Sequence, residues 1–454
     1  MKKKIFQNIN FKISNTLPKG SIIILGISGG SDSIALLNMI KNLKNDYQII
    51  ACHMNHMIRN SKSDADEIFV KKICKEANVK LIVKKVNIPN LSKIEKFGLE
   101  EISRIKRREF FEYNFKKFNA KKIVLAHHLD DQVETFLMRL SRGTSLTGLE
   151  SIKENDGRYF RPMLDVSKDE ILEYAQINNL EWREDETNKD NLFTRNFIRN
   201  KIIPLFKELN PKFNNSVNNI INIIKETNTY IDKNIEVFLK KNISIENNII
   251  ILNLLSFSGK PKAFIFSVIA MVLKKFFSLN QNLIYKNMED THALITKKGP
   301  SGQVNIKNNI VIEKGYSKLF FYNLKKIPNK DFFYKTKELK SSSFDFFKLH
   351  ITKDINKKGY SYFTIKNTDN ILIRSFKKGD RISYSKNKKT KKLQDIYINE
   401  KIPKLARNYI PLLILNNDII KIPFVDAKTS SESISKYDLI GIKITSKLIE
   451  KMIK

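Results

Sequence analysis

The chain has 454 residues and a formal net charge of +35 at pH 7, with 82 Lys or Arg against 47 Asp or Glu. This length exceeds one ordinary hydrophobic core, so we expect two or three domains. The only cysteines are Cys52 and Cys74, which excludes a disulfide scaffold and a cysteine-rich metal site and fits a reducing, cytoplasmic compartment. The excess of positive charge favours a polyanionic partner such as a nucleic acid, although an AT-rich genome also produces a Lys-rich chain.

No segment has the pattern of a leader or a membrane anchor. The basic start at residues 1–4 is not followed by an apolar region, which disfavours a signal peptide. The most apolar stretch, 263–273, meets Lys274 and Lys275 well short of the roughly 20 apolar residues of a membrane span. We therefore predict a cytoplasmic protein without a membrane partner.

The first half of the chain alternates apolar runs with amphipathic stretches. The predicted strands are 22–27, 48–53, 80–86 and 122–126, and the predicted helices are 33–43, 65–77, 100–118 and 131–140. Such alternation is typical of an α/β fold with a parallel sheet covered by helices on both faces. Binding sites in these sheets lie beyond the carboxyl ends of the strands.

The pattern changes after about residue 213. Residues 216–240 and 262–277 are predicted helices, and 299–322 contains short β-like pieces. We predict four parts: an α/β domain at 1–212, a mostly helical middle domain at 213–328, a polar linker region at 329–370 and a small α+β C-terminal domain at 371–454.

A glycine- and serine-rich loop follows the first predicted strand and leads into a helix. Its residues are Ser28, Gly29, Gly30, Ser31, Asp32 and Ser33. Adjacent glycines let backbone N–H groups approach a phosphate, and the helix N-terminus favours an anion. The loop has no Lys, and a carboxylate beside bound phosphates is repulsive unless a cation lies between them, so Asp32 is predicted to bind Mg²⁺. The alternative is a serine-rich turn with a plain helix cap.

Polar residues also follow two other predicted strands. His53 and Asn55 end the second strand and could line a nucleotide pocket. A zinc site formed with Cys52 and His56 is disfavoured, because extended residues cannot all point inward and no further cysteines complete the site. After the fourth strand come the residues His-His-Leu-Asp-Asp-Gln-Val-Glu-Thr, 127–135.

A helix that begins near residue 130 would carry Asp131 and Glu134 on one face. Paired carboxylates suit recognition or deprotonation of a cationic amine. A well-capped helix is the alternative, but that reading leaves the histidine pair unexplained. Further along, Arg195 and Arg199 are four residues apart, so a helix would present both on one side for phosphate contacts.

The loop resembles the signature of the PP-loop (N-type) ATP pyrophosphatases, and several further segments together resemble the tRNA(Ile)-lysidine synthase family. These segments are the His-Met-Asn-His element at 53–56, Glu101 to Arg108, residues 127–135, Arg161 to Leu164, Arg195 to Arg199 and several short stretches between 374 and 413. One departure is the Lys- and Asn-rich turn at 383–389, where the family usually has a glycine-containing turn; it puts the tRNA contacts there in doubt, and leaves the catalytic half untouched.

The resemblance implies an ATP- and Mg²⁺-dependent enzyme that joins L-lysine to the wobble cytidine of a CAU-anticodon tRNA(Ile), through an adenylated cytidine, releasing AMP and pyrophosphate. It implies that residues 28–33, His53, Asn55 and Arg104 bind ATP, and that Asp131 and Glu134 position lysine, one of them also removing its proton. The implied tRNA-binding residues are Arg195, Arg199, Arg374, Lys377, Lys378, Arg381, Lys391, Lys392 and Arg407. Arg104, Arg195 and Arg199 are candidates for ATP or tRNA phosphates. A homodimer is left open.

Two other functions remain as alternatives. A PP-loop tRNA thiolase typically needs paired cysteines or an iron–sulfur site, and Cys52 and Cys74 form no close pair in the sequence. A non-catalytic tRNA-binding protein is disfavoured because Asp32, Asp131 and Glu134 are all present, whereas a decaying site should lose such residues first. The sequence therefore favours a lysine ligase.

Overall fold

A computed structural model describes residues 2–43, 45–58, 61–184, 194–279, 285–336, 340–354, 357–364, 371–383, 390–424 and 439–453. The chain forms two compact units, residues 1–229 and 230–454. Residues 384–389, which make up most of the Lys- and Asn-rich turn, lie outside the described residues.

The first unit is built on a six-stranded sheet. Its strands are β1 (Ile22–Gly26), β2 (Gln48–Asn55), β3 (Lys80–Lys85), β4 (Lys122–Val124), β5 (Asn155–Asp156) and β6 (Tyr159–Phe160). They lie in the order β3-β2-β1-β4-β6-β5, and every pair is parallel except β5 with β6. The predicted parallel sheet is confirmed.

Helices surround this sheet. They are α1 (Lys2–Thr16), α2 (Ser31–Lys41), α3 (Ser61–Glu76), α4 (Ile88–Glu95), α5 (Leu99–Lys117), α6 (Leu129–Arg142), α7 (Leu146–Leu149), α8 (Lys168–Ile177), α9 (Thr194–Phe197), α10 (Ile203–Leu209) and α11 (Phe213–Asn242), with a π-helical turn at Ile198–Ile202. Helix α11 contains the boundary between the two units.

The central strand β1 explains why this unit needs helices on both faces. Its side chains alternate in direction, and Ile23 and Leu25 enter one apolar cluster while Ile24 enters another. All three side chains are fully buried. A strand with two apolar faces is typical of a parallel sheet, and it fixes the position of the loop that follows Gly26.

The second unit contains antiparallel sheets. Its strands are β7 (Ile243–Glu246), β8 (Ile249–Asn253), β9 (Ser301–Ile306), β10 (Ile310–Gly315), β11 (Lys318–Asn323), β12 (Phe333–Thr336), β13 (Ser342–Ser343), β14 (Lys348–Thr352), β15 (Ser361–Thr364), β16 (Ile371–Arg374), β17 (Arg381–Ser383), β18 (Thr390–Lys392), β19 (Leu412–Leu415), β20 (Asp418–Lys421) and β21 (Leu439–Thr445). The sheet orders are β7-β8-β11-β10-β9, β12-β16-β19-β20, β13-β14-β21-β15 and β17-β18.

The helices of this unit are α12 (Lys262–Phe277), α13 (Tyr285–Thr296), α14 (Leu393–Asn399), α15 (Lys404–Arg407) and α16 (Lys447–Ile453), with a 3₁₀ turn at Leu254–Phe257. Strand β8 has two apolar faces: Ile249 and Ile251 enter one core, whereas Ile250 and Leu252 enter the other. The middle of the chain therefore combines the predicted helices with a five-stranded sheet.

The region 329–370 differs from the predicted linker. Its described parts form four strands, β12 to β15. Three of them, β12, β14 and β15, pair with strands from the C-terminal segment, and β13 pairs with β14. For example, Leu349 pairs with Ile444 and Tyr334 pairs with Ile373. The polar composition of this region reflects strands with exposed faces, and they are integrated into the second unit.

Within the described residues, no helix combines the length and the apolar character needed to cross a membrane.

Candidate active site

Three polar segments meet at one edge of the parallel sheet. They follow strands β2, β1 and β4, which are neighbours in that order. Because parallel strands end at the same edge, the loop after β1, the end of β2 and the start of α6 are brought together. The site predicted from these three segments therefore forms at the carboxyl edge of the sheet.

The loop at residues 28–33 is shaped by one glycine and one serine. Gly29 has φ +94°, a conformation that favours glycine, and a Cβ there would lie 3.1 Å from Cγ2 of Val70. The Ser33 hydroxyl oxygen accepts the N–H groups of Ser28 and Gly29 at 3.2 Å each, and the hydroxyl donates to the Gly30 carbonyl at 3.0 Å. Side-chain oxygens thus occupy acceptor positions that phosphate oxygens could take.

Asp32 faces an ammonium group that the sequence reading did not single out. Lys168 Nζ lies 2.6 Å from Asp32 Oδ1 and 2.7 Å from Ser31 Oγ. Lys168 opens α8, whose start is fixed by a capping box between Ser167 and Glu170. Nothing marks this lysine in a Lys-rich chain, because its importance comes from a partner 136 residues away.

The imidazole of His128 lies among three carboxylates. Its Nε2 is 3.7 Å from Asp32 Oδ2 and 3.6 Å from Asp131 Oδ2, and its Nδ1 is 3.5 Å from Asp130 Oδ2. Burial alone would lower the pKa of His128, but the charges of Asp131, Asp130 and Asp32 outweigh it and raise that pKa. The histidine therefore links the loop carboxylate to the carboxylates of α6.

Asp131 is buried and ionised. It accepts the backbone N–H of His128 at 2.9 Å, which completes a capping box at the start of α6. Burial acts to raise the pKa of Asp131, but His128 and Arg195 lower it to about 2. Asp131 therefore keeps its negative charge at neutral pH.

Glu134 is fully buried and holds two arginines. Its carboxylate accepts Arg195 Nε at 2.7 Å, Arg199 Nε at 2.5 Å and Arg199 Nη2 at 3.0 Å. Both guanidinium groups thus reach one carboxylate, whereas their four-residue spacing predicted phosphate contacts from one side of a helix. The sequence predicted that Glu134 binds lysine and that the arginines bind phosphates. In the structure, the Glu134 carboxylate and the two arginines instead form hydrogen bonds with one another.

His53 and Asn55 also have protein partners. His53 Nδ1 lies 3.0 Å from the carbonyl oxygen of Ile27, at the entrance of the loop. The Asn55 side-chain amide donates to Asp64 and Glu67 of α3 at 3.0 Å each, and Asn55 is 2% exposed. These contacts favour roles in shaping the loop and orienting α3 over direct contact with a nucleotide.

A further cation, Arg107 on α5, was missed although it lies inside the segment 101–108. Arg107 and Arg104 are both exposed. Desolvation of its guanidinium and the positive charge of Arg195 lower the pKa of Arg107. Burial and the positive charge of Arg107 lower the pKa of His56 to about 4. Burial also lowers the pKa of His127 to about 4, because burial and the charges of Arg161, Arg195 and Arg107 outweigh the opposite effect of Asp131.

The imidazoles of His56 and His127 are therefore neutral at neutral pH. Within the described parts of the chain, Nδ1 of His56 and Nδ1 of His127 are buried and have no hydrogen-bond partner. Unpartnered buried polar atoms are uncommon in folded proteins, and here they lie beside exposed arginines. The site thus contains both cationic and neutral hydrogen-bonding groups.

The predicted tRNA-binding residues of the second unit divide into two groups. Arg374 binds Asp380 through two hydrogen bonds of 2.7 and 2.8 Å, and Arg407 donates to the carbonyl of Ile402 at 3.0 Å. Arg381 spans the β17–β18 hairpin to Thr390 at 2.9 Å. Lys377, Lys378, Lys391 and Lys392 are exposed.

Metal binding at this site would need ligands beyond the side chains that the structure describes. The described residues contain no cluster of three or more His, Cys, Asp or Glu side chains suited to hold a metal ion. Mg²⁺ commonly binds one or two carboxylates and completes its shell with substrate phosphates and water. Asp32, whose side chain is 27% exposed beside the phosphate loop, fits that arrangement.

Comparisons with known proteins match both ends of the chain. Residues 1–206 match the model of a PP-loop domain, and residues 371–434 match the model of a TilS substrate C-terminal domain. The chain is 32% identical to a tRNA(Ile)-lysidine synthase of Clostridium perfringens, covering 92% of this chain and 93% of that protein. It is 33% identical to the enzyme of the same name from Clostridioides difficile, with the same coverage.

Among solved structures, the U34-tRNA thiolase NcsA from Methanococcus maripaludis with its [4Fe-4S] cluster is similar at a TM-score of 0.42 and 18% identity. The similarity covers 49% of this chain and 78% of that one.

Proposed function

The chain belongs to the tRNA(Ile)-lysidine synthase family, and from that premise we propose that the cluster around His128 is where it ligates L-lysine to the wobble cytidine of tRNA(Ile). The observation that carries this assignment is the position of one imidazole, 3.7 Å from Asp32 and 3.6 Å from Asp131. This position supports the assignment because loop 28–33 and an ionised carboxylate suited to an amine both lie near one imidazole. ATP is consumed, and AMP and pyrophosphate are released.

The chemical difficulty is that the 2-carbonyl oxygen of cytosine is a poor leaving group. In the first step this oxygen attacks the α-phosphorus of ATP, so that an O–P bond forms and the bond to pyrophosphate breaks. In the second step the lysine side-chain amine attacks C2, the C2–O bond breaks and AMP departs with that oxygen. The amine loses its protons to a base in the cleft. The cytidine must leave the anticodon stack to reach this site.

The loop is suited to hold the pyrophosphate part of ATP. Backbone N–H groups of Gly29 and Gly30 and the N-terminus of α2 favour an anion there. Their present acceptors, the hydroxyls of Ser28 and Ser33, can rotate toward phosphate oxygens. Mg²⁺ would be held by Asp32 together with those oxygens, and it would neutralise charge that develops on pyrophosphate.

Asp131 is the carboxylate we assign to the lysine amine. Its pKa of about 2 keeps it charged, and a charged carboxylate attracts and orients an ammonium group. We assign Glu134 a positioning role, because Arg195 and Arg199 fill its oxygens.

The cysteines support ligation over the thiolase alternative. Cys52 and Cys74 are both buried, and burial raises their thiol pKa values to about 12 and about 11. A thiolate is the reactive form, so neither group is suited to carry sulfur. The test of the proposal is incubation with ATP, Mg²⁺, labelled lysine and CAU-anticodon tRNA(Ile).

We expect one lysine per tRNA, with one AMP formed for each, and none on the same tRNA with uridine at the wobble position. Pyrophosphate release without lysine incorporation would contradict ligation, and tRNA retention without any product would favour a binding protein.

We propose that the exposed lysines of the second unit, Lys377, Lys378, Lys391 and Lys392, bind phosphates of the tRNA body. We expect Lys391→Ala combined with Lys392→Ala to weaken tRNA binding and to reduce the slope of log affinity against log salt by about 1 to 2, since each phosphate contact contributes about 0.7 to 0.9. Filter binding at several salt concentrations measures this slope.

The matched control removes Lys274 and Lys275, an equally exposed pair on α12. An equal loss of affinity in the control variant would mean that binding depends on the overall positive charge and not on these two lysines. An unchanged slope in the first variant would show that Lys391 and Lys392 do not contact the tRNA.

A further inference from the structure

We propose that Lys168 alternates between two anionic partners: it neutralises Asp32 when the loop is free of nucleotide, and it moves to the pyrophosphate part of ATP when Mg²⁺ and ATP arrive. In the nucleotide-free loop, the ammonium thus neutralises the carboxylate that would otherwise bind the metal. This inference rests on the proposed function, because it assigns a positioning and binding residue to that same site.

The contacts of the ammonium carry the inference. Lys168 Nζ lies 2.6 Å from Asp32 Oδ1 and 2.7 Å from Ser31 Oγ, at the N-terminus of α2. A helix N-terminus favours an anion, so a cation is held there by the loop carboxylate. Lys168 and Asp32 have side chains that are 36% and 27% exposed, which leaves the ion pair open to exchange with solvent ions.

The backbone of Lys168 is fixed although its ammonium can move. The Lys168 N–H donates to Asp130 Oδ2 at 3.0 Å, and Asp130 Oδ1 in turn accepts the side-chain amide of Asn214 at 2.8 Å. The capping box of Ser167 and Glu170 orders the same turn. A long, flexible stem on a fixed Cα lets the charge swing between partners that lie close together.

The composition of the loop explains why such a residue is needed. Residues 28–33 contain no Lys, unlike nucleotide loops that carry their own ammonium for the phosphates. Lys168 supplies that charge from α8, distant in the sequence and adjacent in the fold. Because two cations compete for one carboxylate, Mg²⁺ should bind the nucleotide-free loop weakly and enter together with ATP, whose phosphates draw the ammonium away.

If Lys168 exchanges partners in this way, one substitution should change the affinities for the metal ion and for pyrophosphate in opposite directions. Lys168→Met keeps the length of the side chain and removes its charge. Binding of Mn²⁺, used as a probe for Mg²⁺, to the nucleotide-free enzyme should tighten by about tenfold, since Asp32 loses its competitor. Binding of pyrophosphate in the presence of Mg²⁺ should weaken by at least about tenfold, since a charge-assisted contact is lost.

The experiment measures Mn²⁺ by electron paramagnetic resonance, and pyrophosphate and AMP by titration calorimetry, on the full-length chain. AMP binding should not change, and Lys168→Arg should keep pyrophosphate affinity within about threefold of the wild type. Lys41→Met, at the opposite end of α2, is the matched control and should change neither affinity. If Lys168→Met loses AMP binding through misfolding, Lys168→Gln is measured in its place.

Unchanged or weaker Mn²⁺ binding would overturn the exchange, and so would unchanged pyrophosphate binding. A wild-type enzyme that incorporates no lysine while the two affinities still move in opposite directions would refute the proposed function and leave the role of Lys168 standing.

Discussion

Asp32→Asn is expected to lower lysidine formation by at least about 10³-fold while leaving tRNA retention almost unchanged. The substitution keeps the shape of the side chain but removes the charge that faces Lys168 and that we assign to Mg²⁺. Loss of one group that stabilises developing charge commonly costs about 10²- to 10³-fold in rate, and here both the metal and the ammonium are affected.

Single-turnover formation of AMP and lysidine measures the chemical step, and filter binding measures tRNA retention. Asp169→Asn, an exposed acid next to Lys168, is the matched control and should keep near-normal rates. Simultaneous loss of turnover and tRNA retention in Asp32→Asn would mean that Asp32 is a structural residue.

Glu134→Gln is expected to destabilise the first unit by about 3 kcal/mol. Removing one partner of a buried ion pair commonly costs about 3 to 5 kcal/mol, because the remaining charge is left uncompensated. We take the lower end because the side chains of Arg195 and Arg199 are 29% and 35% exposed, so water screens part of their charge. Lysidine formation should fall as well, since both arginines lose their anchor.

Urea unfolding of the wild type and the variant, followed by a probe in the first unit, measures the change in the free energy of unfolding. Glu184→Gln, at a residue whose side chain is exposed, controls for loss of an acid in the same unit. A change below about 1 kcal/mol would show that the two arginines do not depend on Glu134.

Much of the catalytic half could be predicted from the sequence because its signals are local. The apolar run that became β1 (Ile22–Gly26), the loop at 28–33 and the apolar face of α2 follow one another along the chain. Strands that are parallel end at one edge, so the convergence of 28–33 with 127–135 also followed from topology.

The pairing of charges in the site could not be predicted in the same way. Helical spacing places Asp131 and Glu134 on one face, but it does not show what reaches them from elsewhere. Arg195 lies 61 residues from Glu134 along the chain, and Lys168 lies 136 residues from Asp32. A sequence reading therefore assigned Glu134 to lysine, whereas the folded chain gives it two arginines.

The second unit was harder to predict for a related reason. The strands of 329–370 have two to five residues each, too few to show a clear alternation, and β14 finds its partner in β21, at the end of the chain. Likewise Arg374 was counted among the tRNA contacts, yet it closes a turn by binding Asp380 six residues later. A basic motif can therefore reflect local folding as well as binding.

The most direct test of the account is a crystal structure with Mg²⁺ and an ATP analogue whose α–β bridge is a methylene group. We predict that the β-phosphate lies within hydrogen-bonding distance of the backbone N–H groups of Gly29 and Gly30, that the metal contacts Asp32, and that Lys168 has left that carboxylate. An analogue bound elsewhere, with loop 28–33 still closed on its own serines, would contradict the assignment.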